Sequence, residues 1–162
     1  PANEEVAVTF SLTSPAFAEG ERIPTRHTCE GDDASPLLIW DGVPAGTRSF
    51  ALICNDPDAP VGTWYHWAVF DIPAGVRRLD EDFPTDGRVG DIRQAVTDFR
   101  RTGYGGPCPP RGHGVHRYRF RLMAVDVERL AVAASPDCRD VEAEAGRHLL
   151  AECVLTGTYS RT

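Results

Sequence analysis

The chain contains no lysine. All 17 of its basic residues are arginine, set against 24 aspartates and glutamates, for a net charge of −7 over 162 residues. The absence excludes Schiff-base chemistry and the P-loop lysine outright. The acidic balance argues against a nucleic-acid partner, which a basic excess would attract. Long apolar runs are lacking too: none exceeds five residues, the longest being Phe50–Cys54 and Leu130–Ala134. A transmembrane helix needs about 20 and a signal-peptide core at least about 7, so neither, and no integral membrane contact, is expected. No Cys-x-x-Cys occurs among Cys29, Cys54, Cys108, Cys138 and Cys153, and the count is odd. Neither a zinc knuckle nor a full disulfide framework fits, and free thiols in a reducing cytoplasm are the expectation. There is no Gly-x-Ser-x-Gly elbow for a serine hydrolase.

What is present fits a single domain over residues 1–162, long enough to bury roughly 70% of its unfolded surface. The 15 glycines and 13 prolines cluster between the apolar runs. Proline lacks the donor that a central strand needs, so this is the punctuation of a strand-and-loop protein. Val6, Val8, Phe10 and Leu12 alternate as in a half-buried strand. Leu37–Trp40 and Phe50–Cys54 read as short strands buried on both faces, and Trp67–Ile72 as another strand that ends at a Pro-Ala-Gly turn. Arg117–Val127 alternates longest, with Arg117, Arg119 and Arg121 on one face and Tyr118, Phe120, Leu122 and Ala124 on the other. A helix is expected after Ser135-Pro136, with Val141, Ala145 and Leu149 at spacing four, followed by a strand over Cys153–Tyr159. Leu79–Thr102 is weakly patterned and reads as a short helix or a long functional loop. The fold class is mainly β: an antiparallel two-sheet sandwich with a helix near the C-terminus and long functional loops.

Two segments crowd polar residues against glycine and proline. One is Asp56-Pro57-Asp58-Ala59-Pro60 with Trp64-Tyr65-His66-Trp67; the other runs from Gly103-Tyr104-Gly105-Gly106-Pro107-Cys108-Pro109-Pro110 to Gly112-His113-Gly114-Val115-His116-Arg117-Tyr118. Each feeds a histidine into the start of an apolar strand. His116 and Tyr118 share the face that Phe120 and Leu122 bury, and the period of two places His66 with Ala68, Phe70 and Ile72. A pocket at those strand ends would have apolar walls and a polar mouth. Two imidazoles and a tyrosine hydroxyl suit an anion, and Gly105-Gly106 lets the backbone approach a ligand. Asp56 and Asp58 would repel a phosphate directly, so one task left to them is to orient an imidazole. A zinc or iron site from these histidines and aspartates is set aside because nothing makes all four converge, and no cofactor is expected. A Cys108 nucleophile is set aside because its flanking prolines make a rigid loop.

These motifs, in this order, resemble the two signatures of the phosphatidylethanolamine-binding protein or Raf kinase inhibitor-like family. Cys29-Glu30-Gly31, Ser35-Pro36, Leu38-Ile39-Trp40 and Gly157-Thr158-Tyr159 extend the resemblance over most of the chain. Only three residues part Pro60 from Trp64, as in the bacterial and archaeal branch. The resemblance implies a small anion-binding pocket formed by Asp56, His66, His116 and Tyr118, with Gly106, Pro107 and Pro109 as its rim. It departs at Thr97-Asp98-Phe99-Arg100, where that branch often reads Asn-Asp-Phe-Gly. The function it implies is binding of a small anionic or phosphorylated ligand: a phospholipid head, a nucleotide or a phospho-residue. Regulation of a protein partner such as a kinase is what the family name suggests, and related bacterial proteins are often dimers. The alternative is a small hydrolase or lyase using His66 or His116 as acid/base beside Asp56.

Overall fold

The structure, a computed structural model, describes residues 8–162. Its centre is a six-stranded antiparallel sheet in the order β6-β7-β4-β3-β8-β9. These strands are β3 (Ser49–Asp56), β4 (Trp64–Pro73), β6 (Arg88–Val89), β7 (Ile92–Gln94), β8 (His116–Val125) and β9 (Leu149–Tyr159). A three-stranded sheet, β1 (Ser11–Thr13), β2 (Leu38–Asp41) and β5 (Arg78–Leu79), covers one face. Helix α1 (Cys138–Arg147) covers the other. The mainly β, two-sheet expectation with one C-terminal helix therefore holds.

The central strand β3 is buried at every position, as its unbroken apolar run predicts. Phe50, Leu52 and Cys54 pack into the core between the sheets with Trp40, Trp67 and Phe120. Ala51 and Ile53 pack the other way, against Val141 and Ala145 of α1. At about 25 cal/mol per Å² of apolar area, these two cores are the main stabilising term. Strand β2 is different: Ile39 is 36% exposed, so that strand buries one face and not two. Val6 lies outside the described residues, and only Ser11–Thr13 of the proposed N-terminal strand pairs. The weakly patterned 79–102 stretch holds no helix; it carries β6 and β7, tied down where Gln94 donates to the carbonyls of Pro84 and Asp86.

The helix starts later than Ser135-Pro136 suggests. Asp137 is its N-cap: its carboxylate accepts from the Asp140 N–H, while Asp140 accepts in return from the Asp137 N–H. This reciprocal pair satisfies two of the orphan donors at the helix start, which Ser135 is too far back to reach.

Strand β4 is bulged at both ends. Cys54 faces Trp67 and Asn55 faces Tyr65, leaving His66 unpaired in the ladder. Phe50 faces Ile72 and Leu52 faces Val69, so Phe70 and Asp71 share one place, and Asp71 sits at φ 55°. Each extra residue flips the alternation and re-aims a side chain. Ala68 and Phe70 consequently face α1, while Trp67 and Ile72 face the other sheet. The face predicted to hold His66, Ala68, Phe70 and Ile72 together is thereby split.

Candidate functional site

The first bulge is what assembles the site. It turns His66 against Tyr118 of β8, ring centroids 5.2 Å apart and nearly perpendicular. Asp56 ends β3, and His116 begins β8. All four predicted pocket residues line one cavity of 230 Å³ at this end of the sheet. Pro109 lines it as well, with Ala59, Pro60, Val61, Trp64, Phe99, Cys108 and Pro110 completing apolar walls. Gly106 and Pro107 do not reach it. The Gly105 N–H donates to the His66 carbonyl and the Gly106 N–H to Asp33 Oδ1, so neither amide is free for a ligand. Gly106 lacks a side chain for another reason: a Cβ there would collide with the His27 carbonyl.

The polar groups hold one another in fixed orientations. Asp56 is 3% exposed; Oδ1 accepts from the Asp58 N–H at 2.7 Å, and Oδ2 accepts from His116 Nδ1 at 2.7 Å. Asp58 takes Arg117 through two guanidinium contacts of 2.9 and 3.0 Å and its backbone N–H, and this pairing holds the Asp58 carboxyl below its usual range. Asp58 is thus committed to structure and Asp56 to the imidazole. His66 Nδ1 lies 2.7 Å from the Gly105 carbonyl. A carbonyl only accepts, so that nitrogen carries the proton and the neutral ring offers a bare Nε2. Burial pushes the His66 pKa below its ordinary value, against the pull of Gly105 and Asp56. His116 is 2% exposed, and its Nε2 lies 2.6 Å from His113 Nδ1.

Tyr118 supplies a second loose end beside the bare His66 Nε2. Its hydroxyl is buried in the cavity wall without a hydrogen-bond partner among the described residues. Burial, with Asp56 nearby, drives its pKa far above the usual phenol value, so the hydroxyl keeps its proton and is a donor in waiting. Leaving such a group unpaired costs about 1–3 kcal/mol, which a ligand oxygen would recover.

Several cavity residues were not singled out from sequence. Phe99 presents its ring edge-on to His66 at 5.2 Å and to Trp64 at 5.5 Å. The signal was the Asp-Phe pair in the stretch that departs from the family pattern. Its neighbour Arg100 sits exposed at φ 64°, a left-handed conformation natural to glycine. His113, which touches His116 without lining the cavity, also falls outside the predicted set, although the Gly-His-Gly motif contains it.

The thiol expectation is overturned for two of the five cysteines. Cys29 and Cys108 form a disulfide, with Cα atoms 5.4 Å apart; Cys54, Cys138 and Cys153 stay free. The bridge pins the cavity rim, beside the Cys29 N–H that donates to the Pro107 carbonyl. Bonded to Cys29, Cys108 has no thiolate to act as a nucleophile. No group of metal-ligating side chains converges among the described residues, and no helix is long and apolar enough to cross a membrane.

Comparison with known proteins places the sequence and fold among relatives. A protein of Aquifex aeolicus designated UPF0098 is 50% identical over 152 residues, spanning 94% of this chain and 89% of that protein. Escherichia coli YbhB is 40% identical over 160 residues, covering 93% of this chain and all of its own. The crystal structure of E. coli YbcL, described as a member of the mammalian PEBP family, superposes with a TM-score of 0.88 at 35% identity, over 96% of this chain and 100% of YbcL. The family model for the phosphatidylethanolamine-binding protein matches residues 13–160. With sequence and fold in agreement, this chain belongs to the phosphatidylethanolamine-binding protein family.

Proposed function

We propose that the cavity binds a small oxyanion, a phosphoryl or carboxylate group, and that the protein works by binding it. The observation that carries this reading is that Tyr118, whose buried hydroxyl has no partner among the described residues, lines the same small cavity as His66 and His116. The family's name, that of a phospholipid-binding protein, supports a phosphorylated ligand. The apolar walls suit a ligand whose remainder is hydrophobic. Since the neutral His66 offers a lone pair, an anion binds well only when protons come with it.

A disulfide at the rim also bears on location. The cytoplasmic expectation rested on free thiols, and a Cys29–Cys108 bridge supports an oxidising compartment as the place of action.

The test is calorimetric titration of inorganic phosphate and sulfate into the wild type, Tyr118→Phe and His116→Ala. Tyr118→Phe should weaken binding roughly 3- to 10-fold, the net worth of one hydrogen bond, while raising the stability of the free protein by about 1–3 kcal/mol, because the unpaired hydroxyl is gone. Equal affinity in all three proteins would mean that the anion sits elsewhere.

A second reading draws on the Asp56–His116 hydrogen bond, the pairing that general acid/base catalysis uses. Turnover of a phosphate ester, abolished in His116→Ala, would favour it; saturable binding without turnover favours the first.

A further inference from the structure

Both ring nitrogens of His116 are occupied: Nδ1 by Asp56 and Nε2 by His113. An anion can therefore reach His116 only in exchange for another partner. Asp56 is buried and fixed through both oxygens, so it stays. His113 is exposed, and its ring makes no other hydrogen bond among the described residues. It stands between Gly112 at φ 72° and Gly114 at φ 97°, in a loop whose backbone is anchored independently. The His113 N–H donates to the Pro110 carbonyl and the Gly112 N–H to the Arg161 carbonyl. The imidazole can swing out by side-chain rotation alone while the loop keeps its path.

We propose that His113 is a latch on the anion site: its imidazole holds Nε2 of His116, and the ligand takes His116 by displacing it. The inference rests on the anion-binding reading above and names how that site is opened.

The protons balance. His116 donates Nδ1–H to Asp56, so in the closed state its Nε2 accepts from His113 Nδ1–H. Solvent protonates His113 at the exposed Nε2. The Nδ1 proton then crosses the 2.6 Å bond to His116. His113 leaves as a neutral ring bearing Nε2–H, and His116 remains as an imidazolium that donates to Asp56 and to the anion. The charged groups around this pair are Asp56 at the end of β3, Asp58 just beyond it and Arg117 from β8; Arg161 stands further along, near Tyr118, and binds the Pro109 carbonyl.

The experiment titrates sulfate into the wild type, His113→Ala and His116→Ala, with histidine-ring NMR of the ¹⁵N-labelled wild type before and after saturation. Losing the competing contact should tighten binding in His113→Ala by roughly 2- to 10-fold, the span of one net hydrogen bond. In the wild type, saturation should abolish the His113–His116 N–H···N coupling and give His113 the ring signals of a free imidazole. Weaker or unchanged binding in His113→Ala overturns the latch, as does a coupling that persists in the complex. Full-strength binding by His116→Ala, by contrast, overturns the anion-site reading itself.

Discussion

The two bulges of β4 use the same backbone device and end differently. At one end the extra residue is His66, whose ring meets Tyr118 from β8 and Phe99 from a loop and faces a cavity with apolar walls. At the other it is Asp71, just as buried, whose Oδ1 accepts from the Leu130 N–H at 2.9 Å. Asp71 Oδ2 has no hydrogen-bond partner among the described residues; Arg93 stands 3.7 Å away, and burial pushes the carboxyl pKa upward. Asp71 ties the loop after β8 to the sheet, whereas His66 turns a free ring nitrogen towards space that a ligand can fill. A bulge therefore marks a place where a side chain is re-aimed. What the neighbouring strands present there decides whether it becomes a site.

The largest effect expected is at the His66 end. Reducing the Cys29–Cys108 bond, which joins positions 79 apart in the chain, should cost about 2–4 kcal/mol. That lowers the melting temperature by roughly 4–16 °C in a scan with and without dithiothreitol. No shift would leave the rim held by its hydrogen bonds alone. Next comes Asp71→Ala, which strips the Leu130 N–H of its acceptor and puts a β-carbon residue without polar compensation at a left-handed φ. We expect a loss of about 2 kcal/mol in urea denaturation with sulfate affinity unchanged. An affinity change would show that the two ends are coupled.

The third effect is one of pH. The free His66 imidazole titrates below its ordinary value because it is buried, and a bound anion raises it. Binding thus takes up a proton wherever the free ring is neutral and the bound ring charged. Sulfate affinity should be flat below the free value. It should then fall by up to about tenfold per pH unit for each proton as pH rises through neutrality, and flatten again above the bound value. Calorimetry across pH 5–9, roughly the span in which imidazoles titrate, reads this directly. A rise in affinity with pH would refute a histidine site. The smallest effect is Arg100→Gly, which should relieve left-handed strain and stabilise the fold by about 0.5–1 kcal/mol, seen as a slightly higher urea midpoint.

The sequence signals that survived are those set by local physics. The apolar run of β3 demanded burial on both faces, and the alternation of β8 put Tyr118 and Phe120 inward; the structure has both. The four polar residues that line the cavity were named together through the resemblance of the two loop motifs to the family's signatures; the sequence pattern by itself pointed to the histidines, each fed by a stiff loop into the start of an apolar strand. His66 was grouped with Ala68 and Phe70, which face α1 instead, because a period of two assumes an unbroken ladder, and nothing in Trp64–Ile72 announces two insertions. The Cys29–Cys108 bridge was illegible for a different reason: its partners are 79 positions apart, and only the folded path of the loops brings them together. The Tyr118 hydroxyl could be named as a donor, but its lack of a partner is a property of the packed cavity.

The same bridge alters what a broken peptide bond would mean. Residues 30–107 lie within a covalent ring that contains β2 through β7, including the span 80–88, which is exposed except at the half-buried Phe83. A protease cutting once in that span would yield two pieces that still travel as one molecule. The cut would be invisible on a denaturing gel run without reductant and would resolve into two bands once thiol is added. Strands β3 and β4 would keep both their pairing and their covalent link to β8, so a nicked chain could hold the cavity together.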